Sequence, residues 1–178
     1  MKAALIASLA LAAAVGGAGG ASAAPPGPQT LDPRVLSYIM PDKIPWAAGN
    51  VEGADTAVLV GDPTKPGFYV VMNRFRPGAF THPHYHPNER YIYVVAGTWW
   101  VGTGAKWDPE HNTVPFKAGS FVVHKARQVH YDGARAGGEG ATVMIFGEGP
   151  GSRTACDGKG AEAGPGPCAD ARAAAGSP

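Results

Sequence analysis

Residues Gly78–Gly97 read G-A-F-T-H-P-H-Y-H-P-N-E-R-Y-I-Y-V-V-A-G. His82, His84 and His86 alternate within this stretch, and a Pro-Asn turn separates them from an adjacent acid and base, Glu89 and Arg90. The stretch ends in an aromatic and β-branched run, R-Y-I-Y-V-V-A, the strongest strand signal in the chain. Successive side chains on a strand point to opposite faces, so His84 and His86 project the same way, roughly 6.5–7 Å apart. Two imidazoles so placed can share one metal ion, given a third ligand from elsewhere.

On either side of this stretch lie further short β runs broken by turns. A-V-L-V starts at Ala57, F-Y-V-V-M-N-R-F follows the loop G-D-P-T-K-P-G, and W-W-V-G follows Gly97-Thr98. S-F-V-V-H and A-T-V-M-I-F-G complete the series before Gly149-Pro150-Gly151, while Gly102 to Pro115 reads as a loop. Turn signals every 8 to 12 residues, with almost no helical periodicity, indicate an all-β antiparallel barrel or sandwich.

The chain begins M-K-A-A-L-I-A-S-L-A-L-A-A-A-V-G-G, and Ala21-Ser22-Ala23 has the small-x-small form of a cleavage site. Residues 1–23 are therefore expected to be a signal peptide, and the mature protein to be secreted or periplasmic. The apolar run ends in glycines short of the roughly 20 residues that a membrane span needs, so no membrane contact is expected after cleavage. Residues 24–54 read as a linker and an irregular proline-rich arm anchored by Trp46, residues 55–150 as the β domain, and 151–178 as a loosely ordered Gly/Ala/Pro-rich tail. Of the 15 Lys and Arg, Lys2 leaves with the signal, giving 14 against 14 Asp and Glu. No basic stripe exists, which argues against nucleic acid as a partner. Cys156 and Cys168 allow one short intramolecular pairing, read as a staple of the tail.

All six histidines fall between positions 82 and 130. The second cluster runs from Gly119-Ser120-Phe121-Val122-Val123-His124 to Gln128-Val129-His130, and an antiparallel barrel could bring His130 against the first histidine strand. Taken together, these residues resemble the cupin family, whose motifs are G-x5-H-x-H-x3,4-E-x6-G and G-x5-P-x-G-x2-H-x3-N. Gly78, His84, His86 and Gly97 match the first at the right spacing, but Arg90 stands where the family has glutamate, with Glu89 one residue early. Gly119 and His130 match the second, with Lys125, Arg127 and Ala134 replacing its proline, glycine and asparagine.

Over roughly residues 55 to 147 the resemblance implies a single-domain cupin: a small antiparallel β-barrel or jelly roll with a metal pocket inside. It carries the ligand role to His84, His86 and His130. Neighbours on a strand face opposite ways, so either Arg90 looks inward and anchors a substrate carboxylate, or a bulge turns Glu89 inward as a fourth ligand. A third register uses His82, His84 and Glu89 and fits the glycines less well. His82 and His111 otherwise read as surface residues, and His124 as a packed histidine. The expected cofactor is a divalent transition metal, Fe, Mn, Ni, Cu or Zn.

Two classes of function follow. One is an enzyme on a small molecule, a dioxygenase with iron or a Lewis-acid isomerase or lyase with zinc or manganese. Glu89, Arg90 and Gln128 are its candidate catalytic residues, and Tyr85 and His124 further proton-handling groups. The other is a non-catalytic module that binds a small ligand, with a structural metal or none. A homodimer through a sheet edge is expected in either case.

Overall fold

The computed structural model describes residues 30–156 and Cys168, so the expected signal peptide and most of the expected tail lie outside the described residues. The chain divides into two compact units, Met1–Tyr38 and Ile39–Pro178. In the first, residues 30–38 hold a turn in which the Arg34 guanidinium donates to the Asp32 carboxylate at 2.7 Å.

Between residues 39 and 156 the second unit's elements are all strands apart from one 3-10 turn at Pro41–Lys43. Its strands are β1 (Ala47–Ala48), β2 (Ala54–Val60), β3 (Gly67–Phe75), β4 (His84–Tyr85), β5 (Arg90–Thr103), β6 (Val114–Lys117), β7 (Phe121–His124), β8 (His130–Gly133), β9 (Ala141–Gly149) and β10 (Thr154–Ala155). They form one antiparallel sheet in the order β1-β2-β3-β9-β5-β8-β4-β10, with β6 and β7 paired to β5, and the sheet curls into a half-barrel. The arm is partly built into it, since β1 pairs with β2, and Trp46 lies under the Arg74 guanidinium at 4.4 Å. Part of the expected tail is also structured: β10 pairs with β4, and Cys156 is disulfide-bonded to Cys168.

β5 organises the rest. Its first half pairs with β9 and β7, and its second half with β6 and β8. Ile92 and Val94 point into the core while Tyr91, Tyr93 and Val95 are exposed, the alternation expected of a sheet with one wet face. A bulge between Val94 and Ala96 then reverses the phase, so that Trp99 and Val101 become the buried pair. Gly97 closes the bulge in the left-handed region (φ 73°), where a side chain would also strike the Gly140 carbonyl. Tyr69, Val71, Phe75, Val143 and Ile145 complete the core, each large apolar side chain contributing about 1.5–3 kcal/mol by leaving water.

The loop expected from Gly102 to Pro115 is two residues shorter at each end, because β5 continues to Thr103 against His130 and β6 starts at Val114. Gly102 lies under the Tyr131 ring, whose hydroxyl donates to the Asn112 carbonyl at 2.9 Å and so cannot swing away. Gly102→Ala should therefore cost about 2 kcal/mol or more by overpacking, lowering the thermal midpoint by about 4–8 °C. An unchanged midpoint would show that the ring does not close over this glycine.

Candidate metal centre

Pro83 and Pro87 bracket β4 and limit it to two residues, because proline has no N–H to give a ladder. The strand is enough to set direction. Tyr85 turns outward into a small apolar cluster with Val129, Cys156 and Cys168, while His84 and His86 turn inward. His84 lies directly opposite His130 of β8. The three ring centroids are 4.5 Å (His84–His130), 4.9 Å (His84–His86) and 5.3 Å (His86–His130) apart, and one ring nitrogen from each lies within 4.8 Å of the others.

Each imidazole is held through Nδ1 by a backbone carbonyl: His84 by His82 at 2.8 Å, His130 by Gln128 at 3.0 Å, and His86 by Ser152 at 2.7 Å. A carbonyl can only accept, so Nδ1 carries the proton in all three rings and Nε2 keeps its lone pair. The Nε2 atoms of His86 and His130 are buried and meet no hydrogen-bond donor. Orphaned, converging lone pairs whose partner nitrogens are tied down fit a divalent transition metal.

Burial holds all three imidazoles neutral. His84 is pushed well below the usual histidine range by desolvation, with His130 and His86 adding to it. His86 is lowered by desolvation and then by Arg90, and His130 falls to about 4 from desolvation. His124, at the end of β7, is also lowered by desolvation. Its ring lies tilted against His130 at 3.8 Å and stacks on Trp99 at 5.4 Å, and both of its ring nitrogens lack hydrogen-bond partners.

The bulge between Val94 and Ala96 comes too late to rephase the start of β5. Arg90 therefore shares the inward face of Ile92 and Val94, paired across to His124 and Gly147. Glu89 consequently faces outward. Its carboxylate binds Lys125 at 3.2 Å, its side chain is 40% exposed, and it contributes neither a ligand nor a catalytic group to the pocket. The register using His82 and Glu89 fails with it, for His82 is exposed and stacks on Trp107 at 4.7 Å. The Gln128 side chain is exposed, so its part is the carbonyl that holds His130, not proton transfer. Tyr85 likewise faces away from the pocket.

Asp132 enters the site unheralded by the motif. Two residues beyond His130 on β8, it shares that residue's face, and its carboxylate lies 4.0 Å from His130 Nε2. Burial raises its carboxyl to about 6, against the opposing pull of Arg90 and the Trp99 indole. Arg127 stands where the family motif has glycine and still adopts φ 59°, its N–H donating to the His86 carbonyl at 2.8 Å. Asp132, Arg90, His84 and His86 line a cavity of about 390 Å³ that Arg153 and Ser152 also border.

Residues 36–149 match the sequence model of the ChrR cupin-like domain. The chain belongs to that family. Comparison with curated proteins gives no match. Among solved structures this cupin is similar to the polyketide cyclase RemF from Streptomyces resistomycificus, over 64% of this chain and 79% of that one, at 14% identity and a TM-score of 0.54. It is also similar to an RmlC-like cupin from Shewanella frigidimarina (64% and 90% covered, 15% identity, TM-score 0.48) and a cupin-like protein from Thermotoga maritima (61% and 81%, 23%, 0.48). These likenesses concern the fold.

Acid should destabilise the chelator-treated cupin. His130 has its folded value near 4, against 6.5 unfolded, so between those pH values the unfolded chain takes a proton that the folded chain refuses. That costs about 2 kcal/mol at pH 5, and the other three buried imidazoles act in the same direction. Asp132 opposes them, because its raised value lets the folded chain take a proton first below about pH 6, returning about 1 kcal/mol at pH 5. Four imidazoles outweigh one carboxyl. The urea midpoint should fall between pH 7.5 and pH 5; an equal or higher midpoint would mean that the imidazoles titrate as they do in water.

Proposed function

We propose that this cupin is a metal-dependent enzyme acting on a small molecule, with His84, His86 and His130 as the protein ligands. The observation that carries the reading is the set of three Nδ1–H groups committed to backbone carbonyls, which leaves three Nε2 lone pairs turned together. Three neutral imidazoles suit Fe, Mn, Ni, Cu or Zn, and such an ion, when bound, supplies Lewis acidity at coordination positions that the protein leaves open.

The cavity favours proton-transfer chemistry, of the isomerase or lyase type, over oxygen insertion. Asp132 is its one carboxyl, and a carboxyl near pH 6 is suited to take a proton from a bound ligand at Oδ2 and return it. The Thr81 hydroxyl accepts from the Asp132 backbone N–H at 2.8 Å and fixes that strand against the cavity wall. His124 packs behind His130 and supports its ring. The Cys156–Cys168 disulfide supports the secreted or periplasmic location that the leader suggests.

Elemental analysis of untagged wild-type protein beside His84→Ala tests the ligand set. About one ion per chain is expected in the wild type and none in the variant, with the β circular-dichroism signature kept. Equal metal in both would sink the assignment. Once a substrate is in hand, Asp132→Asn should retain the metal and lower kcat by about 10²–10⁴. Oxygen consumed in step with turnover would replace proton transfer with a dioxygenase reaction, and binding without turnover across a broad panel would favour the non-catalytic module.

A further inference from the structure

Two guanidinium groups border the metal cavity, and neither forms an ion pair among the described residues. Arg90 comes from β5, and its Nε is buried without a hydrogen-bond partner. Arg153 comes from the opposite end of the chain, just ahead of β10, and is exposed at the wall that the cavity shares with a neighbouring hollow. The two are close enough that each charge disfavours the other. The remaining ionisable groups on the wall are His84, His86 and Asp132. The imidazoles are neutral, so a single carboxyl faces two cations.

A half-buried arginine with a buried, unpaired Nε and this little counter-charge is costly unless something completes it. Asp132 does so only in part, since no oxygen of its carboxylate lies within ion-pair distance of Arg90. The polar side chains of Thr56, Asn73, Thr81 and Ser152 line the same wall beside Val51 and Phe75, giving a surface for a small, partly apolar organic molecule.

We infer that the ligand of this cavity carries a carboxylate, held between the guanidinium groups of Arg90 and Arg153. The inference deepens the proposed function and rests on the same cavity, but it does not need the ion. Planar guanidinium matches planar carboxylate through paired N–H donors, and placing the anion between two arginines relieves their mutual repulsion. Phosphate is less well served, because among the described residues no helix N-terminus borders the wall to receive its further oxygens. Arg90 would set the depth of the anion, and Arg153 would close over it from the tail.

Isothermal titration with succinate, against its uncharged diamide succinamide and against inorganic phosphate, tests the inference. The titrations use wild type, Arg90→Gln and Arg153→Gln, each as purified and after chelator treatment, with metal content measured on every sample. Succinate should bind saturably at millimolar concentration or below, and each substitution should weaken it by about tenfold or more. Succinamide should bind at least tenfold more weakly. Arg153 is exposed, so Arg153→Gln should fold even where Arg90→Gln does not, and it is the deciding variant. Unchanged succinate affinity in Arg153→Gln, equal binding of succinamide, or tighter binding of phosphate would each overturn the inference. Arginine-dependent succinate binding in protein that carries no metal as purified would uphold it while removing the metalloenzyme reading.

Discussion

Three hydrogen bonds fix the chemistry of this protein: the imidazole Nδ1–H groups of His84, His86 and His130 to the carbonyls of His82, Ser152 and Gln128. Two of them are local, since His84 and His130 each reach back two residues to their own backbone. They form as soon as the strand does. The third is not local, because His86 is held by a carbonyl 66 residues away. Two of the three imidazoles are thus orientated by β4 and β8 alone, and the third by the segment that follows β9. The β4–β8 pairing, in which His84 sits opposite His130, is the point on which the arrangement turns.

Such a site is expensive before anything binds. Four imidazoles and a guanidinium are taken largely out of water, and several of their nitrogens are left unpaired. An unsatisfied buried polar group costs about 1–3 kcal/mol, so a handful rivals the net stability of a small domain, about 5–15 kcal/mol. The long strand β5 and the aromatic and aliphatic core against β3 and β9 offset that cost. Placing the polar cluster at one end of the half-barrel keeps it from interrupting that core. The same unpaired nitrogens give a bound cation its advantage, because it would satisfy them without asking the protein to rearrange.

The fold and the three-histidine cluster were legible in the sequence because they depend on period-two alternation and on spacing within single strands. His84 and His86 on one face, His130 entering from the next strand and the strong β run after Arg90 all follow from local pattern. The choice between Glu89 and Arg90 did not, since either phase fits the residues taken alone. It is decided by cross-strand register, with Arg90 opposite His124 and the bulge delayed to Val94. Asp132 was within reach of the same reasoning, two residues past His130 on a strand. The motif leaves that position unspecified, and only strand parity marks it. Gln128 is the converse case: its side chain is exposed, and it meets His130 through a carbonyl that every residue has.

The tail is where sequence reasoning had least to work with, and where the site gains its last parts. Its composition, poor in large apolar residues, suggests a segment without packing of its own, and the cysteine pair looks like a staple with nothing to hold. The structure gives the staple a position. Cys156 N–H donates to the Pro83 carbonyl at 2.8 Å, and both cysteines pack with Val129 against Tyr85, the residue between the two inward-facing histidines. Four residues upstream, Ser152 holds His86, and Arg153 borders the cavity. A disulfide limits the freedom of the unfolded chain mainly by closing a loop. This one has a second consequence, because the segment it secures carries the carbonyl that orients His86 and the cation that faces the cavity. The outer face of β4 is thereby tied to its inner face: what clamps Tyr85 on one side determines how well His86 is aimed on the other.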